Sequence, residues 1–302
     1  MKQDFPKLGI GLLCQLFGKT RHAYYDALCR KERSLVKEDI ILQEVSNIRK
    51  QLPRLGTRKL HHLLGKRLLS HNITIGRDYL FNLLCDHNLL VRQRKRKAMT
   101  TNSRHWMKKY SNLIKDMEIT RPEQVWVSDI TYIRMVNQWG YLSLITDAFS
   151  RKIMGYSFRM DLTAQGCIDA LTMALNNKTY QEPMVHHSDR GSQYCSSQYV
   201  KLLLQNNVAI SMTENGDPYE NAIAERVNGI IKTEFNLHSS MLGLGQTQKH
   251  ISKSIANYNA LRPHASCDYL TPNQAHLKTT ILKKRWKNYQ TYSNPKMTVQ
   301  SF

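Results

Sequence analysis

Three acidic side chains stand in settings where a carboxylate could do chemistry: Asp129 in EQVWVSDITYIRM, Asp189 in EPMVHHSDRGSQY and Glu225 in GDPYENAIAERVNG. Carboxylates are the side chains that take hard cations. Asp129 lies inside an apolar run, with Val127 and Thr131 on its own face, and an acid there needs a cation, a hydrogen-bond network or a sheet edge. Asp189 ends a short apolar run, where a carboxylate either points into a ligand crevice or caps a turn before Gly191. Glu225 is one of three acids in its stretch, and its role depends on the helix that carries it.

The spacing predicts that helix to begin at Asp217, with Pro218 at the first helical position and Glu220 closing a capping box. Asp217 and Glu220 then satisfy free amides, and Glu220 and Glu234 fall toward the apolar side. Glu225 shares the opposite, polar stripe with Asn221, Asn228 and Lys232, away from the core face of Ile223, Val227, Ile230 and Ile231. Lys232 lies roughly 10 Å along the axis from Glu225, which suits an anionic strand passing a metal, or equally an ordinary solvated face. The main rival acid, Asp147, precedes Ala148 and Phe149 at a strand end and reads as a turn residue. His187 shares the face of Asp189, and with no paired cysteines nearby His186 and His187 are not half of a zinc site.

The charge of the chain narrows the partner. Forty-four Lys and Arg against 23 Asp and Glu give +21 over 302 residues, and residues 1 to 100 carry +13 of that excess. Such a balance favours a polyanion, because each neutralised phosphate releases counterions. A membrane is disfavoured: the longest apolar run near the start, LGIGLLCQLFG, is too short to span and is interrupted by Gln15. Six scattered cysteines without a CxxC pair read as reduced thiols of a cytoplasmic protein.

Along the chain, residues 1–35 outline a helix-turn-helix, with a break at Gly18 and a second helix capped by Thr20. Residues 36–91 are expected to form a second helical DNA-binding region, or else a small helical domain with a solvated basic face; Arg58, Lys59 and Arg77 sit near its helix starts, where groove or phosphate contacts are made. Residues 92–120 are a basic linker opening with RQRKRKA, whose Arg94 and Arg96 are expected on a phosphate backbone. Three β-rich runs then predict an antiparallel meander. After it, helix, strand, helix and strand alternate through VAISM, making a mixed α/β sheet. The remainder to about residue 278 is mainly helical, and residues 279–302 form a basic, aromatic tail suited to phosphate contact or docking.

WVSDITYI, HHSDRGSQY and ENAIAERVNGIIKTE together resemble the three catalytic blocks of insertion-sequence transposases of the OrfB type, which carry a retroviral-integrase-like core. Thirty-five residues separate Asp189 from Glu225, the spacing typical of that family, and Lys232 falls where the family places a basic residue. WGYLSLITDAFSRKIMGYSF is similar to the family's second and third strands, NYNALRPHASCDYLTPNQA to its C-terminal signature, and GTRKLHHLL to its helix-turn-helix region, so the likeness covers residues 8 to 278.

The resemblance implies an α/β, RNase H-like mixed-sheet core at residues 121–278, preceded by an all-α region and including C-terminal helices. It implies Asp129, Asp189 and Glu225 as a triad holding two Mg²⁺ ions, or Mn²⁺ in their place, about 4 Å apart. It also implies a DNA transposase that binds terminal inverted repeats, cleaves 3′ ends and transfers strands. Asn221, Asn228, Lys232 and Arg190 join the N-terminal cations as expected DNA contacts, and His187 is expected to orient the site or touch DNA rather than bind Mg²⁺. Element and target duplexes, further copies of the chain, and an upstream OrfA-type partner or frameshift fusion are the implied partners, in the nucleoid of a prokaryote. A silent DNA-binding regulator and an RNase H-like nuclease without strand transfer are the alternatives; the first would tolerate loss of an acid, and the second would lack the N-terminal helical blocks.

Overall fold

The computed structural model describes residues 5–91, 106–135, 138–214, 221–237 and 243–283. The chain divides into two compact units, Met1–Lys95 and Arg96–Phe302.

The first unit is helical: α1 (Ile10–Leu16), α2 (Arg21–Arg49), α3 (Thr57–Leu68) and α4 (Arg77–Asp86). Gly18, at φ +60°, ends α1 in the left-handed region that glycine adopts without strain. The Thr20 side chain accepts the Ala23 amide at 3.1 Å and opens α2. Where a boundary was expected between residues 35 and 36, α2 runs through as one 29-residue helix. Residues 31–39, KERSLVKED, hold no glycine or proline to stop it. Ile41, Val45 and Ile48, at helical spacing, are buried with Leu60, Leu64 and Leu80, each such side chain contributing about 1.5–3 kcal/mol.

The second unit is built on a five-stranded sheet: β1 (Val125–Arg134), β2 (Trp139–Asp147), β3 (Ile153–Arg159), β4 (Met184–Ser188) and β5 (Val208–Met212), in the order β3-β2-β1-β4-β5. The meander β1-β2-β3 is antiparallel, while β4 and β5 join in parallel through α5 (Ala164–Asn176) and α6 (Ser197–Gln205). Trp126, Ile145 and Met154 pack with Ala170, Leu171 and Tyr199 of these helices in one buried cluster. Gly155 permits this packing, since a Cβ there would lie 2.1 Å from the Ala170 carbonyl oxygen. Val125, Val127 and Ala148 instead meet α7 (Ala222–Glu234) through Ala224.

The later part of the expected linker is docked on this unit. Ile114, Met117 and Ile119 pack against the Val125 cluster, and the Leu113 amide donates to Ser211 Oγ at 2.9 Å. Apolar residues every few positions make that stretch part of the fold. Helix α8 (Leu244–Leu261) and α9 (Pro272–His276) complete the described chain, α9 opening on a Thr271/Gln274 capping box. The basic stretch with Arg94 and Arg96, and residues 284–302 of the tail, lie outside the described residues.

Candidate active site

The parallel pairing of β1 with β4 sets the site. Val125 pairs with Val185, Trp126 with His186 and Val127 with His187, a constant offset of 60 residues. Asp189 is the first residue after β4, so the chain leaves that strand beside the part of β1 that carries Asp129, and the Asp189 charge acts on the Asp129 carboxyl. The Asp189 Oδ1 atom accepts the Gly191 amide at 3.0 Å, so the acid closes a turn, while its charge raises the pKa of Asp129.

Helix α7 meets the same point. The Asn221 Nδ2 atom donates to the Ser128 carbonyl at 2.9 Å, and Asn228 Nδ2 donates to Asp129 Oδ2 at 2.7 Å. Glu225, four residues after the first asparagine and three before the second, lies on the stripe these two amides press toward β1. It is itself exposed, in the first turn of α7. Lys232 ends the stripe, half-buried, its pKa lowered by burial against the opposing pull of Asp129.

The electrostatics record this crowding. Burial, then the Asp189 carboxylate, raise the Asp129 pKa from 3.8 to about 7. The Asn228 amide and the Ile130 amide pull it down, and the Glu225 charge adds to the rise. The three acids are thus within electrostatic reach, although among the described residues no three His, Cys, Asp or Glu side chains close tightly enough to hold one ion.

Several expected roles change. Asn221 and Asn228, read as a solvent-facing stripe that meets DNA, are 6 % and 4 % exposed. These two amides of the stripe face the sheet because a strand carbonyl and a carboxylate there require donors. His187 is fully buried, its Nδ1 2.8 Å from Ser211 Oγ, and so joins β4 to β5 without reaching a DNA groove. α7 begins at Ala222 with Asn221 at its N-cap, later than the capping box at Asp217 and Glu220, which lie outside the described residues. Asp147, wholly buried, accepts the Glu123 and Ser150 amides at 2.8 Å each and the Ser150 hydroxyl at 2.6 Å, and is spent on the β2–β3 turn. Arg190 follows Asp189 and is half-buried.

Within the first unit, Arg58 and Lys59 in the first turn of α3 and Arg77 at the start of α4 line one groove with Gly56, Thr57, Asp78 and Phe81. Both helices start on glycine N-caps that make no side-chain capping bond, which suits an anion at the helix ends. The amide clip of Asn221 and Asn228 was missed by sequence reasoning. Its signal was the seven-residue interval that puts both asparagines on the stripe of Glu225.

Comparison with known proteins gives the family of the chain. The integrase core domain family matches residues 119–218, and a second family of the same description matches residues 206–272. The insertion element IS600 uncharacterized 31 kDa protein of Shigella sonnei is 32% identical over 265 residues, spanning 86% of this chain and 96% of that protein. Transposase InsF for insertion sequence IS3A of Escherichia coli (strain K12) is 34% identical over 172 residues, 56% of this chain and 60% of that one. A solved HTLV-2 integrase catalytic core domain in complex with magnesium aligns with a TM-score of 0.43 at 22% identity, covering 52% of this chain and 97% of that one. The chain belongs to the OrfB-type insertion-sequence transposases of the IS3 family, DDE-type polynucleotidyl transferases with an integrase-like core.

Proposed function

We propose that this chain binds the terminal inverted repeats of its element, cleaves at the 3′ ends and joins them to target DNA, with Asp129, Asp189 and Glu225 as the catalytic acids. The observation that carries the reading is the convergence of a β1–β4 register with an asparagine-clipped helix on one carboxylate, whose pKa is raised to about 7 by burial and its neighbours.

The donor set fits hard divalent cations: it is all carboxylate oxygen, and the raised Asp129 pKa marks negative charge that a cation would relieve. Two Mg²⁺ ions, or Mn²⁺ in their place, would when bound supply charge neutralisation for the attacking and leaving oxygens of an in-line displacement. Asp129 from β1 and Asp189 from the turn after β4 would hold one side of that site, and Glu225 would approach it from α7. Asn228 orients Asp129 and favours its ionised form, the form that binds a cation. Lys232 sets a positive charge further along the same helix face, toward a phosphate of the bound strand, and Arg190 adds another beside Asp189. The groove of Arg58, Lys59 and Arg77 grips repeat DNA by its phosphates. Pairing two element ends calls for more than one copy, acting in the nucleoid, with an OrfA-type partner or fusion upstream.

The test incubates the protein, with and without the upstream partner, with labelled terminal-repeat duplexes and Mg²⁺ or Mn²⁺. Wild type should cleave and join, and Glu225→Gln should lose both steps by more than about a hundredfold while binding duplex normally. Full activity of folded Glu225→Gln would overturn the assignment.

A further inference from the structure

The segment NYNALRPH, which ends α8, lies more than thirty residues beyond Glu225. Its polar side chains are nevertheless turned inward. The Tyr258 hydroxyl donates to the Arg151 carbonyl at 2.9 Å. Asn259 behaves like a strand neighbour, its Oδ1 accepting the Ile153 amide and its Nδ2 donating to the Ile153 carbonyl, each at 2.9 Å. These bonds fasten the end of α8 to the first residue of β3.

Arg262 then reaches from that fixed point to the helix carrying Glu225. Its Nε donates to Glu234 Oε2 at 2.7 Å and its Nη2 to Glu234 Oε1 at 2.6 Å, while Nη1 donates to His264 Nε2 at 2.8 Å. The Arg262 side chain is 1% exposed and that of Glu234 18%. Glu234 is the last residue of α7. On the following turn His250 Nε2 lies 2.9 Å from the Phe235 carbonyl, a second tie from α8 to the end of α7.

A bidentate guanidinium–carboxylate pair fixes distance and direction together, which a single ammonium contact does not. The asparagine clip gives directional bonds only in the first half of α7, and the buried Ala224, Val227, Ile230 and Ile231 along its inner face hold it by apolar contact, which fixes its distance from its neighbours better than its position along the axis. Glu225 is about 13.5 Å along the axis from Glu234 at 1.5 Å per residue. The Arg262 pair is therefore a second anchor on the lever that carries the acid.

We propose that Arg262 is a positioning residue for catalysis: through Glu234 it fixes the axial placement of α7 and hence delivers Glu225 to Asp129 and Asp189. The inference rests on the reading of Glu225 as a catalytic acid. It gives part of the C-terminal segment a task in the reaction, as the brace of a helix whose other end is held by Asn221 and Asn228.

The test compares full-length wild type with Arg262→Lys and with the double variant Glu234→Leu/Arg262→Met. The double variant removes both charges at once, a replacement that buried ion pairs commonly tolerate in folding. Cleavage of a labelled terminal-repeat duplex in Mg²⁺ is measured as kcat and KM, and amide hydrogen exchange is followed over residues 221–230 and 125–134. The expected outcome for the double variant is a kcat lowered about 10- to 100-fold, as for small misplacements of reacting groups. KM should be unchanged, and exchange should be faster in residues 221–230 and unaltered in 125–134. Arg262→Lys, with one point contact in place of a fork, should fall between, and is read by the same measurements should the double variant fail to fold. Wild-type kcat in a folded variant overturns the proposal, as does a lost kcat with exchange in residues 221–230 unchanged. An active Glu225→Gln variant would instead remove the catalytic reading itself, whatever the exchange data show.

Discussion

Replacing Asn228 by alanine should raise the Asp129 pKa still further. The amide donates to Asp129 Oδ2 at 2.7 Å and is the foremost of the groups that favour the ionised acid. A hydrogen bond to a charged group contributes about 1.5–3 kcal/mol, and one pKa unit corresponds to about 1.4 kcal/mol, so the loss amounts to roughly 1–2 units. From its value of about 7, Asp129 in the metal-free variant should titrate near 8–9 by that reckoning. Carboxyl-carbon NMR of aspartate-labelled protein reads this directly. At pH 7 and limiting Mg²⁺, the ionised fraction should fall from about one half to between one in ten and one in a hundred, and cleavage of a terminal-repeat duplex about 5- to 50-fold, recovering toward pH 9. Glu225→Gln should move the same carboxyl the other way, because it removes a charge that raises it. The sign for stability follows: a carboxylate raised above its unfolded value gives metal-free protein a contribution complete below about pH 4 that is lost as pH rises through about 7, and later in Asn228→Ala. An unmoved Asp129 titration, or an activity loss equal at every pH, would refute this account.

His276→Ala should be costly far from the acids, because it leaves Glu123 and Asp147, both fully buried, without their imidazole partner at 3.2 and 3.6 Å. Breaking a buried pair costs about 3–5 kcal/mol, a fall in melting temperature of about 6–20 °C for a unit of this size, readable by circular dichroism. Burial opposes protonation of His276, but Asp147 and Glu123 outweigh it and raise its pKa; burial likewise opposes ionisation of Glu123, but His276 and the Tyr180 and Thr179 amides outweigh it and lower its pKa. The His276 contribution is therefore complete below about pH 6.5 and lost as pH rises through its higher folded value, while that of Glu123 is complete above about 4.5 and lost as pH falls through its lower one. The gap between wild type and variant should be widest between these limits and narrower at pH 9, and a gap independent of pH would contradict the charge argument. Alanine at Arg58, Lys59 and Arg77 together should make duplex binding less salt-dependent, the slope of log affinity against log salt shrinking by about 2.7 if each holds one phosphate; an unchanged slope would remove the groove from the DNA interface.

What could be read in advance divides along the range of the interactions involved. The strands around Asp129 and the helices on either side of VAISM were legible because their signals, period-two alternation and helical spacing, lie within a dozen residues. The register that sets Asp189 beside Asp129 joins strands sixty residues apart, and spacing within either strand does not encode it; only the family likeness anticipated their meeting. The capping signals of Asp217, Pro218 and Glu220 lie outside the described residues, and the described helix starts where Asn221 finds the Ser128 carbonyl, 93 residues earlier in the chain, a contact that no local signal encodes. The face of α7 was misread for a related reason. Amphipathic patterning equates polar with solvated, and that holds only where the surface beneath a helix is apolar. Here β1 presents a carbonyl and a carboxylate, so amides make the better-packed interface, and the stripe that looked most exposed is the one that seats the helix. The same logic hides Arg262: an arginine near a helix end reads as a solvated cation until its partner, 28 residues upstream, is known. The interactions that hold the candidate site together are thus polar contacts between distant segments, the class for which local pattern carries the least information.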